Sequence, residues 1–303
     1  PNGDYTPADY QLPIADFRER IKAPLRRVIY PLWNAAATAV LSRRYATPEF
    51  APDVWQWGQR GNDYPRQRRR VNRMRRLKGA EVLVAGCGTG RDIESWMGME
   101  PRRVVGVDWF RYDRAWDLWR ERFSAGTGGT EVVFEQGDLA NLEAFDDASF
   151  DVVGSDAVFE HLRDLPGVLK EFHRILRPGG VLYATFGPLW YSWGGDHVSG
   201  YDALATGFNH LLLDREAWHR YLDAMGEAHH SEHDGRTWIA HDLFSRLRPH
   251  EYLRELAAGG FLRRFVGAII DPRAVECLRR FPSLAGELRA VGTEIRSEER
   301  RVG

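Results

Sequence analysis

Three glycines at alternate positions, Gly86-Cys87-Gly88-Thr89-Gly90, follow the apolar run Val82–Ala85 and precede a helical stretch. Glycines in such a loop allow a sharp turn and let a ligand approach the N–H groups that open the helix. The spacing is G-x-G-x-G, whereas the dinucleotide fingerprint is G-x-G-x-x-G, and its third glycine would fall at Arg91. A nicotinamide enzyme is therefore disfavoured. Asp108 closes the next apolar run about 20 residues later, where a carboxylate can accept both hydroxyls of a ribose. Asp138, followed by Leu139, closes a third run and is placed to accept from the amino group of a base. The alternative for both acids is a turn residue, since Asp favours turns.

A second group of residues could move protons. Glu160-His161 follows a fourth apolar run. The stretch from Gly187 to His197 leaves a fifth run and contains Trp190, Tyr191 and Trp193, with His210 further on. Ligands of open α/β sheets bind beyond the carboxyl ends of strands, so these aromatic rings are expected to wall an acceptor pocket. His197 and His210 are the expected bases, because an unperturbed imidazole titrates near about 6.5. His161 is read as structural or as a base, and the whole aromatic stretch could instead pack an insertion against the core. His229, His230, His233 and His241 lie near Glu232 and Asp234 without helical spacing or cysteine, and no metal is expected there.

These residues sit on a regular framework. Strands are predicted at Ala80–Ala85, Arg103–Val107, Glu131–Phe134, Phe150–Gly154 and Gly180–Phe186, with helices between most of them. The helix Asp164–Leu176 stops at Arg177-Pro178-Gly179-Gly180. Alternating helices and doubly buried strands mean a mostly parallel sheet in an α/β domain. Residues 187–245 interrupt the rhythm without a clear strand. It resumes with a helix at Pro249–Ala258, a strand at Phe261–Ile270 and a last strand near Glu294-Ile295. Residues 1–78 read as a helical segment broken at prolines, with Ile14-Phe17-Ile21 as one apolar stripe. Within it Arg66–Lys78 is a basic helix that buries Val71, Met74 and Leu77 and solvates its arginines, or else offers a phosphate-binding face. The expected division is thus a helical N-terminal lid over 1–78 and an α/β domain over 79–303.

Composition removes several classes of function. The 303 residues are 43% hydrophobic and 28% charged, ordinary values for a globular chain. Lys plus Arg total 42 against 43 for Asp plus Glu, so no nucleic-acid partner is expected. Cys87 and Cys277 are the only cysteines, which excludes a disulfide framework and fits a reducing, cytoplasmic setting. The longest apolar stretch, Tyr30–Leu41, is interrupted by Pro31 and Asn34, and no membrane association is expected.

Taken together, GCGTG at 86–90, Asp108, GDL at 137–139, FDVV at 150–153, EHL at 160–162 and LRPGG at 176–180 make Val82–Phe186 resemble the class I S-adenosylmethionine-dependent methyltransferases. The resemblance implies a Rossmann-like, mostly parallel seven-stranded sheet with helices on both faces and a reversed final hairpin. It implies S-adenosylmethionine as cofactor and S-adenosylhomocysteine as product. The implied contacts are Ala85, Gly86, Cys87, Gly88, Gly90, Arg91, Asp108, Trp109, Asp138, Leu139 and Ser155. Many relatives carry an acid two residues before the first glycine. Val84 stands there, so Arg91-Asp92 or the N-terminal segment is expected at the methionine end.

Glu160-His161 resembles the end of the E-x-x-E-H run by which ubiquinone-pathway O-methyltransferases hold a divalent metal. Ala157 replaces the first acid, and no metal is expected. A similar aromatic-Gly-Gly-His run, with a second His later, occurs in many bacterial methyltransferases of unassigned substrate. The expected activity is methyl transfer to a small-molecule acceptor, at oxygen ahead of nitrogen. The alternatives are a glycan, lipid or peptide acceptor, and a non-catalytic cofactor-binding partner protein.

Overall fold

A computed structural model of the protein describes residues 29, 32–33, 35–58, 64–124, 129–225 and 235–290. The stripe Ile14-Phe17-Ile21, the histidines 229, 230 and 233 with Glu232 and Asp234, and the strand expected near Glu294-Ile295 lie outside the described residues. The chain runs through helix α1 (35–45), strand β1 (Val54–Trp57) and helix α2 (Tyr64–Met74) before the alternating part begins. There follow β2 (Glu81–Ala85), α3 (Glu94–Met97), β3 (Arg103–Asp108), α4 (Asp113–Ser124), β4 (Glu131–Gln136), β5 (Phe150–Asp156), α5 (Leu165–Ile175) and β6 (Leu176–Thr185).

Strands β2 to β6 form one parallel sheet in the order β4-β3-β2-β5-β6. Every residue of β2 and β5 is buried, because alternate side chains feed cores on both faces of the sheet. Leu83, Val105 and Val153 join Leu169 and Phe172 on one face, while Val82, Val104 and Val152 join Trp96 and Trp116 on the other. Strand order reverses between β2 and β5, which opens a crevice at their carboxyl ends. Helix α5 begins where Asp164 accepts from the Gly167 N–H, one residue inside the expected start.

The architecture is the expected Rossmann-like one, with a difference in the last strands. Only Gly267–Ile270 of the expected Phe261–Ile270 strand forms β7, and it pairs in parallel with β1 in a separate two-stranded sheet. The described strands are thus divided five and two, where a single sheet of seven ending in a hairpin was implied. The physical reason lies in the N-terminal segment. Trp55 of β1, with Leu41, Tyr45 and Phe50, gives Ala268 and Ile270 an apolar surface to close on. That segment is therefore not purely helical, and its core is shared with the chain's far end. Helix α2 ends at Met74, short of the expected Lys78; Val71 within it and Leu77 beyond it are buried as expected, but Met74 is 44% exposed.

Residues 187–245 form short helices, α6 (Asn209–Leu212), α7 (Arg215–Ala224) and α8 (Gly235–Ala240), with no strand among the described residues. Helices α9 (Pro249–Ala258), α10 (Pro272–Arg280) and α11 (Pro282–Ala290) complete the fold. Among the described residues no helix is long and apolar enough to cross a membrane.

Candidate functional site

The loop after β2 is shaped by two glycines with left-handed backbone. At Gly86 (φ +67°) a Cβ would lie 2.2 Å from Val158 Cγ2, so only glycine lets β2 pass the turn after β5. At Gly88 (φ +51°) a Cβ would meet nothing within 4 Å, which marks open space beside the backbone. Gly90 is a packing glycine, since a Cβ there would strike Trp119 and Phe134. The Gly86 and Cys87 N–H groups donate to Val107 O, tying the loop to β3.

Asp108 fixes the loop electrostatically. Its Oδ2 accepts from the Gly88 N–H at 2.7 Å and its Oδ1 from the Phe110 N–H at 3.0 Å. Trp116 Nε1–H donates to Gly88 O. Both carboxylate oxygens of Asp108 are thus used to hold the backbone that follows β2 and β3. Trp109 is 53% exposed beside Asp108. Asp138 is exposed, and its Oδ1 caps the Ala140 N–H, while Leu139 is buried. Ser155, at the end of β5, is fully buried with no hydrogen-bond partner for its Oγ. Ala85 and Cys87 are buried, and burial raises the Cys87 thiol well above its usual range, so it is not a reactive thiol. Arg91 is exposed and paired with Asp92. The structure thus gathers Gly86, Gly88, Asp108, Trp109, Asp138 and Ser155 at the carboxyl ends of neighbouring strands.

Sequence reasoning missed a buried ion pair at the same edge. Arg68 of α2 is wholly buried, with Nη2 donating to Asp156 Oδ2 at 2.5 Å and Nε to Ser95 Oγ at 3.0 Å. Asp156 Oδ1 also accepts from Thr185 Oγ1 and the Tyr183 hydroxyl. The guanidinium lies 4.0 Å from the Trp96 ring centre. One arginine of the basic helix is therefore used to pin α2 to β5 and β6, rather than being solvated or facing phosphate. The readable signal was only an acid closing the fourth strand; nothing in the pattern distinguishes Arg68 from its neighbours.

The histidine region is built differently. Glu160 and His161 lie in a single 3-10 turn, Phe159–His161. Glu160 Oε1 accepts from the Gly187 N–H at 2.9 Å, whereas Oε2 is buried without a partner. Burial pushes this carboxyl up to about 7. The His161 Nδ1–H donates to Leu243 O at 2.9 Å, and burial lowers its pKa to about 4. His197 adopts φ +64°, its Nε2 is buried without a partner, and its ring centre is 4.8 Å from that of His161. Burial, with His161 alongside, takes His197 down to about 3. Burial thus works against the ordinary basicity expected of His197 and favours its neutral ring.

His210 and two of the aromatic residues are occupied in packing. His210 Nε2–H donates to Trp190 O at 2.7 Å, and Nδ1 lies 3.8 Å from Asp196 Oδ1. Burial lowers its pKa although Asp196 opposes the shift. His210 thus supports the aromatic loop through Nε2, while its Nδ1 is buried without a hydrogen-bond partner. Asp196 is fully buried and accepts from Val198 N–H, Ser199 N–H, Ser199 Oγ–H and Trp218 Nε1–H. Burial would raise its carboxyl, but His210 and these donors hold it below the usual range. Trp193 donates to Leu204 O and sits in a core with Phe208, Ala274 and Cys277. Trp190 packs on Phe244 and His210. Tyr191 is half-buried with Arg248 over its ring, and His241 lies edge-on to Phe110.

Residues 83–184 match a family model described as a methyltransferase domain. Over 117 residues the chain is 38% identical to an arsenite methyltransferase of Aquipseudomonas alcaligenes, covering 35% of this chain and 32% of that protein. Over 163 residues it is 31% identical to a malonyl-[acyl-carrier protein] O-methyltransferase of Serratia marcescens, covering 48% of this chain and 60% of that one. A solved S-adenosylmethionine-dependent methyltransferase from Mesorhizobium loti aligns at a TM-score of 0.32 and 23% identity, over 38% of this chain and 51% of that one. The chain thus spans about a third of the first of these relatives and three fifths of the second.

Proposed function

We propose that the chain, whose residues 83–184 match a methyltransferase domain, is a class I S-adenosylmethionine-dependent methyltransferase that transfers a methyl group to a small-molecule acceptor, at oxygen rather than nitrogen. The observation that carries this reading is the pairing of open space at Gly88 with the Asp108 carboxylate that shapes the loop around it. The residues fit the cofactor. Asp108 would hold the ribose hydroxyls, Asp138 the adenine amino group, and the exposed face of Trp109 would flank the base. The unpaired Ser155 Oγ and the bare backbone at Gly88 would line the methionine side. When bound, the cofactor supplies an electrophilic methyl group on a sulfonium.

What remains for the protein is to align the acceptor and exclude water, and alignment alone can supply about 7–11 kcal/mol. The acceptor end is assigned to the polar group Glu160, His161 and His197 beyond β5, roofed by Trp238 and Phe244. A carboxyl and neutral imidazoles suit a hydroxyl more than a cationic amine. The acceptors named in the relatives, arsenite and malonyl-[acyl-carrier protein], differ from one another. They support the donor and leave the acceptor to experiment. The N-terminal segment is assigned as a lid, pinned by Arg68 to Asp156.

The test is product release. The purified chain with methyl-labelled S-adenosylmethionine and a panel of hydroxylated aromatics, sugars and amines should yield S-adenosylhomocysteine with hydroxylated members. Tight S-adenosylhomocysteine binding without turnover on any member would favour a non-catalytic role, and turnover confined to amines would reverse the assignment to oxygen.

A further inference from the structure

The unpaired polar atoms beyond β5 converge. Glu160 Oε2 and His197 Nε2 are buried without hydrogen-bond partners, and His161, with Nδ1 committed to Leu243 O, has Nε2 left to present. One donor atom from each of the three residues lies within 4.8 Å of the others. Buried polar atoms are almost always satisfied, so two unpaired ones at one place, with a His161 ring nitrogen beside them, call for a common partner. From this convergence we infer a binding site for a divalent transition-metal ion, held by Glu160, His161 and His197.

The donor set selects the class of ion. Two imidazoles and one carboxylate suit zinc, iron(II) or cobalt(II), whereas magnesium and calcium sites are built from oxygens. Zinc bonds of about 2.0–2.2 Å place tetrahedral donors about 3.3–3.6 Å apart. From a spread of 4.8 Å, small side-chain rotations would close the set. A metal-binding imidazole commonly donates its other N–H to a backbone carbonyl, as His161 does to Leu243.

The loop that brings in His197 is held against its own preference. A non-glycine residue at φ +64° is strained, and the four donors on Asp196 lock the turn in which it occurs. The missing acid at Ala157 therefore does not decide the matter, because the third ligand comes from the insertion. Three protein ligands leave a coordination position open. On the methyl-transfer reading, on which this last step rests, that position would take the acceptor's hydroxyl and make it more acidic.

Cobalt(II) is the probe. The full chain, stripped with chelator, is titrated with cobalt(II) while visible absorption is followed, then challenged with zinc. A saturable band at one equivalent, displaced by zinc, is expected. Glu160→Gln and His197→Gln should each weaken cobalt binding about tenfold or more, with circular dichroism unchanged. His219→Gln, at an exposed histidine, should leave the band unaltered. Absence of a band, or a band equally strong in both ligand variants, would overturn the site. Calorimetry with S-adenosylhomocysteine on the same samples separates the two readings: cofactor binding without a cobalt band sinks the metal site alone, and a ligand-dependent band without cofactor binding supports the metal site and sinks the methyl-transfer reading.

Discussion

The glycine loop and the histidine region lie at the same edge of the sheet but are built on opposite terms. Around the loop, backbone does the work, and the polar groups that shape it are paired: Asp108 with Gly88 and Phe110, Arg68 with Asp156 and Ser95. In the histidine region, Glu160 Oε2 and His197 Nε2 are unpaired and His197 is strained. A paired network contributes to stability on its own, whereas an unpaired one is held in place by its surroundings until a ligand arrives. The two halves should therefore answer mutation with opposite signs.

The largest effect is expected at the paired side. Arg68→Ala leaves Asp156 as an uncompensated buried charge and should cost about 3–5 kcal/mol in urea unfolding. A loss below 1 kcal/mol would mean that water replaces the guanidinium and that the pair does not pin α2. At the loop itself, Gly88→Ala imposes a left-handed backbone on alanine, a cost of about 1–2 kcal/mol. It also fills the open space, so cofactor affinity should fall further than stability.

The histidine side should respond the other way. His197→Gly relieves the φ of +64° and should raise stability by about 1 kcal/mol in the metal-free protein, read from the same unfolding curves. A clear destabilisation would show that the His197 ring is packed for structure.

How far each half could be read from the sequence follows the same division. The loop, Asp108 and Asp138 are local features, fixed by glycine spacing and strand ends, and the five parallel strands followed from apolar runs. Helix α9 was found residue for residue because Pro249 and Gly259-Gly260 punctuate it. The histidine region joins residues 160–161, 197, 238 and 243, which only tertiary packing brings together. Burial then changes their chemistry, so that His197 and Glu160 no longer titrate as their residue types suggest. The β1–β7 pairing was illegible for the same reason: its partners come from opposite ends of the chain.

A last effect, no larger than that at His197, lies away from both regions and calibrates them. The Arg174 hydrogen bond, aided by the Leu142 N–H, holds the Glu171 carboxyl below its usual range against the opposing effect of burial. A carboxyl depressed in the folded state stabilises above its unfolded pKa, and that contribution fades as pH falls through the folded value. Glu171→Gln should cost about 1 kcal/mol at pH 7 and flatten the stability curve in the acid limb below about pH 4.5. An unchanged acid limb would assign the sensitivity elsewhere.

The central claim is that the loop half binds the cofactor independently of the histidine half. Calorimetric titration of S-adenosylhomocysteine into the unaltered chain, Asp108→Ala and His197→Gln tests it most directly. Two charge-assisted bonds to ribose, each worth about 1.5–3 kcal/mol, predict a loss of about a hundredfold or more in Asp108→Ala. Affinity in His197→Gln should stay within a factor of about three. Unchanged binding by a folded Asp108→Ala variant, or a comparable loss in His197→Gln, would contradict the account.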